Sequence, residues 1–109
     1  MLIDTHTHID MIEGLSVEEI LKNASENGVG KIIVPCAYPK DVDKIYDLVQ
    51  KYENVYGMLG VHPSEARDLD DGLTEKIKKY SQSSKIVAIG EIGLDYYWAV
   101  SYTHLRAHE

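Results

Sequence analysis

Leu2-Ile3-Asp4-Thr5-His6-Thr7-His8-Ile9-Asp10 begins as an apolar run and turns directly into a His-x-His pair. In a sheet of alternating strands and helices, the first strand-to-helix turn of a dinucleotide-binding fold reads Gly-x-Gly-x-x-Gly; a turn built from imidazoles and carboxylates argues against that fold. Leu2–Thr5 is the first predicted strand. Three similar runs follow at Lys31–Pro35, Val55–Leu59 and Ile86–Ile89. They are rich in Ile and Val, nearly continuous, and bounded by Gly or Pro, the pattern of parallel strands covered on both faces.

Helical patterns fill the intervals. Ser16-Val17-Glu18-Glu19 is a capping box, in which Ser16 caps the amide of Glu19 and the Glu19 carboxylate reaches back to the amide of Ser16. Val17, Ile20, Leu21 and Ala24 then form an apolar stripe, and Gly28 supplies the stop. The pattern repeats from Asp41 to Tyr52 through Val42, Ile45, Val49 and Tyr52, and more weakly from about Leu73 to Gln82 through Leu73, Ile77 and Tyr80. Strand, helix, strand in succession describes βαβ units with right-handed crossovers and a parallel sheet, either open or closed into a barrel. The fold class is therefore α/β. At 109 residues the chain makes one domain at most, and it is long enough for only about half of a (β/α)8 barrel, which takes roughly 250 residues.

Eleven Lys and Arg against 18 Asp and Glu give a formal charge of −7 and a pI near 5.1. That balance excludes a broad basic surface for steering nucleic acid, yet an acidic enzyme handles phosphates when a bound cation supplies the positive charge. The single cysteine, Cys36, excludes an internal disulfide framework and fits a reducing compartment. Met1-Leu2-Ile3-Asp4 has neither the basic nor the apolar region of a secretory signal, and no apolar run approaches about 18 residues. The expected location is cytoplasmic, with no membrane partner. No internal repeat or low-complexity linker is visible.

Three constellations carry possible chemistry. Asp4-Thr5-His6-Thr7-His8 follows the first strand; residues two apart in extended backbone point to one side, so both imidazoles can face one cation. Zn, Ni, Fe and Mn all suit such donors, and Asp4 or Asp10 could hold a ring in orientation. An isolated His-x-His is equally often a solvated loop, since two ligands do not make a site. Gly90-Glu91-Ile92-Gly93-Leu94-Asp95-Tyr96 follows the fourth strand, with flanking glycines that let the backbone turn and leave Glu91 at the mouth of the sheet. Taken alone, Glu91 reads more simply as a surface residue. Gly60-Val61-His62-Pro63 follows the third strand, where His62 could bind phosphate, act in acid–base chemistry or cap the rim. What joins them is position: His6, His8, His62, Glu91 and Asp95 all fall just past the C-terminal ends of predicted parallel strands, where α/β enzymes keep their sites.

In this order and spacing, the three motifs with Asp10 resemble the TatD family of metal-dependent deoxyribonucleases, TIM barrels of the amidohydrolase-like superfamily. The resemblance covers residues 1–98. It implies the N-terminal half of a TIM (β/α)8 barrel, about four βα units, from an enzyme that cleaves DNA phosphodiester bonds as a 3′→5′ exonuclease. DNA is the implied partner, and the implied cofactor is a divalent-metal centre of two ions, Mg, Mn or Zn. By the same resemblance His6 and His8 match the first ligand pair and Glu91 the carboxylate shared between metals, while Asp4, Asp10, His62 and Asp95 are substrate or outer-sphere candidates. Two histidines and an aspartate would complete the ligand set on later strands, so the 109-residue chain alone is expected to be inactive. Two other readings stand beside this one: an amidohydrolase-like barrel acting on esters, amides or aminoacyl-tRNA, and a non-catalytic metal-binding fragment. Glu91 favours the TatD pattern over relatives that use a lysine-derived bridge.

Residues 99–109 fit that pattern poorly. Val100 to Glu109 can be written as GTC TCT TAT ACA CAT CTC CGA GCC CAC GAG, which resembles a transposon-end adaptor used in sequencing-library preparation. The expectation is that residues 1–98 are native barrel and 99–109 an adaptor-encoded tail. His104 and His108, spaced i, i+4, are then not a zinc site.

Overall fold

The computed structural model describes residues 1–96; the expected tail at 99–109 lies outside them. Four parallel strands, β1 (Leu2–Asp4), β2 (Val29–Pro35), β3 (Val55–Leu59) and β4 (Ile86–Ile89), form one sheet in the order β1-β2-β3-β4. Helices α1 (Val17–Glu26), α2 (Val42–Lys51) and α3 (Asp71–Tyr80) make the crossovers. Sequential strand order with a helix between each pair is the barrel progression, as opposed to the reversal of a doubly wound sheet. The chain is α/β, and its described residues make four parallel strands and three connecting helices of a TIM barrel.

The elements start and stop for local reasons. Ser16 accepts from the Glu19 amide at 3.1 Å, which is the serine half of the capping box. Gly28 ends the first helix with φ +86°, a left-handed conformation that costs glycine little. Helix α3 begins at Asp71, two residues before the periodicity predicts, because Asp70 is a cap whose side chain accepts from the Leu73 amide at 2.7 Å. Strand β2 begins at Val29, two residues early, since its Val29 and Lys31 already pair with Leu2 and Ile3 of β1.

The core is the layer between helices and sheet. Ile32 and Val34 of β2, Val55 and Leu59 of β3, and Ile86 of β4 meet Leu21 of α1 and Val42, Ile45 and Val49 of α2, all buried. Gly57 lies under this layer, where a Cβ would come within 3.0–3.2 Å of Ile45, Ile86 and Val49. Burial on both faces, which the apolar runs suggested, is not found at the sheet edges. Every residue of β1 is exposed, as are Val87, Ala88 and Ile89 of β4. Those runs are apolar without being covered among the described residues.

Candidate metal centre

The site is assembled at the C-terminal rim from the two edge strands. After β1 the backbone leaves its extended course and passes into a short turn, Ile9–Met11. Asp4 fixes that departure, its Oδ1 accepting from the His6 amide at 3.1 Å, and the Thr7 amide donates to the Ile33 carbonyl of β2 at 3.2 Å. The His6 and His8 rings then meet edge to face, with centroids 5.3 Å apart. Asp4 thus acts on the backbone of His6, not on an imidazole ring.

Glu91 arrives from the opposite edge. The Gly90 amide donates to Leu59 O at 2.9 Å, and the next amide, of Glu91, reaches past β3 to the Cys36 carbonyl at the end of β2, at 3.1 Å. The Gly90–Glu91 peptide is cis. This crossing passes so close over Gly60 that a Cβ there would lie 2.9 Å from both the Glu91 carbonyl oxygen and the Gly90 carbonyl carbon. No real side chain tolerates such a contact with backbone, so Gly60 is the opening through which Glu91 reaches the histidines.

The result is a convergent group. One ligand atom each from His6, His8 and Glu91 lie within 4.8 Å of one another, and His6 Nε2 is 3.6 Å from Glu91 Oε1. His6 is exposed, whereas His8 and Glu91 are half-buried. Two imidazole nitrogens and a carboxylate oxygen are a donor set that divalent transition metals accept. Donors around one cation with bonds near 2.1 Å sit roughly 3–4 Å apart, so the group needs only small side-chain adjustment to take an ion.

Nδ1 of His8 and both carboxylate oxygens of Asp10 are buried with no hydrogen-bond partner among the described residues. Burial pushes the Asp10 carboxyl above its ordinary range, opposed first by its own backbone amide and then by the Lys44 ammonium. Lys44 donates to the Asp10 carbonyl at 3.1 Å. A ring nitrogen that can donate and a carboxylate that can accept, two residues apart and both unpaired, are the components of an orienting hydrogen bond.

His62 lies outside the group. Its Nδ1 accepts from the Ser64 amide at 3.1 Å and sits 2.8 Å from Ser64 Oγ, capping the turn Pro63–Asp68. Accepting at Nδ1 leaves the proton of the neutral ring on Nε2. Asp95 is half-buried and likewise does not join the cluster. Cys36 sits at the same rim but is fully buried, and desolvation raises its thiol to about 11. Its contribution is the carbonyl that holds Glu91. Neither this role nor that of Gly60 was read from the sequence, although a glycine directly after β3 was the available signal.

A profile of the family described as TatD related DNase matches residues 3–109. Among individual proteins, the chain is 33% identical over 99 residues to the "uncharacterized metal-dependent hydrolase YabD" of Bacillus subtilis, covering 90% of this chain and 39% of that protein. It is 38% identical over 96 residues to YjjV of Escherichia coli K12, which carries the same description, covering 85% and 37%. The crystal structure of YjjV, a TatD homolog, superposes with a TM-score of 0.80 at 32% identity, covering 98% of this chain and 42% of that one. The chain thus spans about two fifths of the relatives it matches. Its motifs, its parallel half-barrel and these similarities together make it a member of the TatD-related DNase family.

Proposed function

We propose that this chain supplies the first part of the active site of a metal-dependent hydrolase that cleaves phosphodiester bonds of DNA, as a 3′→5′ exonuclease. The observation that carries the reading is the convergence of His6, His8 and Glu91 at one rim. Support for the substrate comes from the family, whose description is a DNase, and from the metal-dependent hydrolases among the relatives.

His6 and His8 would hold the cation through imidazole nitrogens and Glu91 through its carboxylate, with a second ion sharing Glu91. A bound divalent cation, Mg, Mn or Zn, supplies Lewis acidity and neutralises the charge on a phosphate oxygen. The remaining work belongs to the chain. Asp4 fixes the His6 backbone, Asp10 is available to hold the His8 ring in one tautomer, and the Cys36 carbonyl sets the approach of Glu91. His62, with its Nδ1 engaged, would offer Nε2–H as a donor to a phosphate at the rim.

Three donors are fewer than a closed site requires, and the 109-residue chain by itself is expected to bind a cation without turnover. Calorimetric titration with Mn²⁺ should show binding that His6→Ala weakens by at least about tenfold, given the loss of one of three ligands. In a chain of the relatives' full length carrying these residues, Mg²⁺ or Mn²⁺ should drive loss of nucleotides from the 3′ end of single-stranded DNA. Metal-dependent turnover of ester substrates with DNA left intact would overturn the nuclease reading. The free, buried Cys36 suits a reducing compartment, and we assign the protein to the cytoplasm. No helix among the described residues is long and apolar enough to cross a membrane.

A further inference from the structure

A second feature of the same rim lies in the turns that follow β2 and β3. Tyr38, Pro39 and Lys40 form one wall of a cavity of about 450 Å³, and Glu65 and Asp68 form the other. Tyr38 is 41% exposed, yet its backbone is held from three directions. Its carbonyl accepts from the Cys36 thiol at 3.2 Å and from the Asp41 amide at 2.9 Å, and Pro39 confines it to the extended conformation it adopts, φ −123° and ψ 143°. The Lys40 ammonium stands 5.4 Å from the ring centroid. At an exposed site such a cation–π contact is weak, so the lysine gives it up readily for a stronger anionic partner.

None of the side chains of Tyr38, Lys40, Glu65 and Asp68 joins the metal centre. An exposed aromatic ring on a fixed backbone, with a cation held beside it by a weak contact only, matches a nucleotide, with the base on the ring and the phosphate on the ammonium. The two carboxylates orient the ligand, because they repel a phosphate and accept hydrogen bonds from exocyclic amino groups of a base. We propose that Tyr38, Lys40, Glu65 and Asp68 form a nucleotide subsite for single-stranded DNA, in which Tyr38 stacks a base, Lys40 pairs with its phosphate, and the carboxylates favour bases bearing an amino group over thymine. The proposal deepens the nuclease reading and rests on it for its place beside the metal centre. Cys36 links the two: its carbonyl holds Glu91 and its thiol holds Tyr38.

The test uses the 109-residue chain in EDTA, with fluorescein-labelled hexamers of deoxyadenylate and of thymidylate followed by anisotropy. The deoxyadenylate hexamer should bind more tightly than the thymidylate hexamer. Tyr38→Ala should weaken it by about tenfold, the scale of one lost base–aromatic stack, and Tyr38→Phe should stay within about twofold. Lys40→Gln should lower the salt dependence by about one counterion. A shift of the Tyr38 ring resonances on titration with dAMP provides a second readout that needs no variant. Equal affinity of wild type and Tyr38→Ala, or no hexamer binding and no ring shift in the wild type, overturns the subsite. A chain that binds the hexamer but no Mn²⁺ keeps the subsite and loses the metal centre; the reverse result loses the subsite alone.

Discussion

The centre of the sheet and its two edges are built to different standards. Strands β2 and β3 lie under α1 and α2 with Val34, Val55, Leu59 and Ile45 fully buried, whereas β1 is exposed throughout and β4 buries only Ile86. Helix α3 buries no residue, and an apolar cavity of about 330 Å³ lined by Ile77, Ile89, Leu69 and Ile92 separates it from β4. Yet the candidate ligands follow the poorly covered strands, His6 and His8 after β1 and Glu91 after β4. The edges therefore bring the candidate ligands and the centre fixes their geometry, because the segments after both edge strands hydrogen-bond to the end of β2, through Ile33 and Cys36.

That contrast breaks most sharply in the core. Ile45→Ala removes a fully buried side chain packed against β3 and should cost about 2–5 kcal/mol. Ile3→Ala, at a half-exposed edge position, should cost well under about 1 kcal/mol. Urea unfolding followed by circular dichroism measures both. Equal losses at the two positions would mean that the edges are as well buried as the centre.

The next largest effect separates stability from geometry at the rim. Gly60→Ala puts a methyl group into the crossing of Gly90 and Glu91, an overpacking that should cost about 1–3 kcal/mol. Because the clash falls on the segment that delivers Glu91, Mn²⁺ affinity should fall while the core signal in circular dichroism persists. The Glu91 amide, bonded to Cys36 in the native chain, should also lose hydrogen-exchange protection. Unchanged protection and affinity would show that the rim has room to shift.

How much of this was legible in the sequence follows the same division. Nearly continuous apolar runs located the four strands of the described residues, and apolar residues at i, i+3 and i+4 the three α-helices, because such patterns report burial directly. They missed the start of α3 because that start is set by Asp70, a polar cap that periodicity ignores. The spacing of His6 and His8 was visible, and the structure does bring Glu91 to them from 83 residues away in the chain. The route was not visible, because a carbonyl at Cys36 and an absent Cβ at Gly60 are backbone facts that no side-chain pattern encodes. His62 reads in the sequence as phosphate ligand, acid–base group or cap, with structural and functional roles in balance, and only its bonds to Ser64 identify the capping role.

Helix α3 allows a smaller test, because it lacks buried residues to hold it. With packing thin, its start depends on the Asp70 side chain, and Asp70→Ala should cost about 1 kcal/mol. Ser16→Ala should cost the same at the cap of α1. The difference should appear locally: losing the α3 cap frays α3 in hydrogen exchange, while α1 keeps the protection of its buried Leu21. Matching patterns of fraying in both variants would place α3 among the well-packed elements.

The smallest effect is a pH dependence at the contact between α2 and α3. Tyr80 stacks on Tyr46 and donates its hydroxyl to Asp43, which also receives Lys76 at 3.0 Å. The Tyr80 hydroxyl and the Lys76 ammonium hold the Asp43 carboxyl below its ordinary value of 3.8. A carboxyl whose pKa is lower folded than unfolded stabilises the protein above the ordinary value and loses that contribution as pH falls through the folded one. Asp43 is largely solvated, so the loss should stay under about 1 kcal/mol. On the alkaline side the same bond raises Tyr80 to about 12, so its contribution is complete below pH 10 and disappears as pH climbs towards 12. Asp43→Asn should flatten both limbs of the stability profile, because the amide neither ionises in acid nor holds the tyrosine proton through a charge. An acid limb of unchanged size after this substitution would mean that Asp43 contributes nothing to it, the remainder belonging to other carboxyls such as Glu18, which the Tyr52 hydroxyl also holds low.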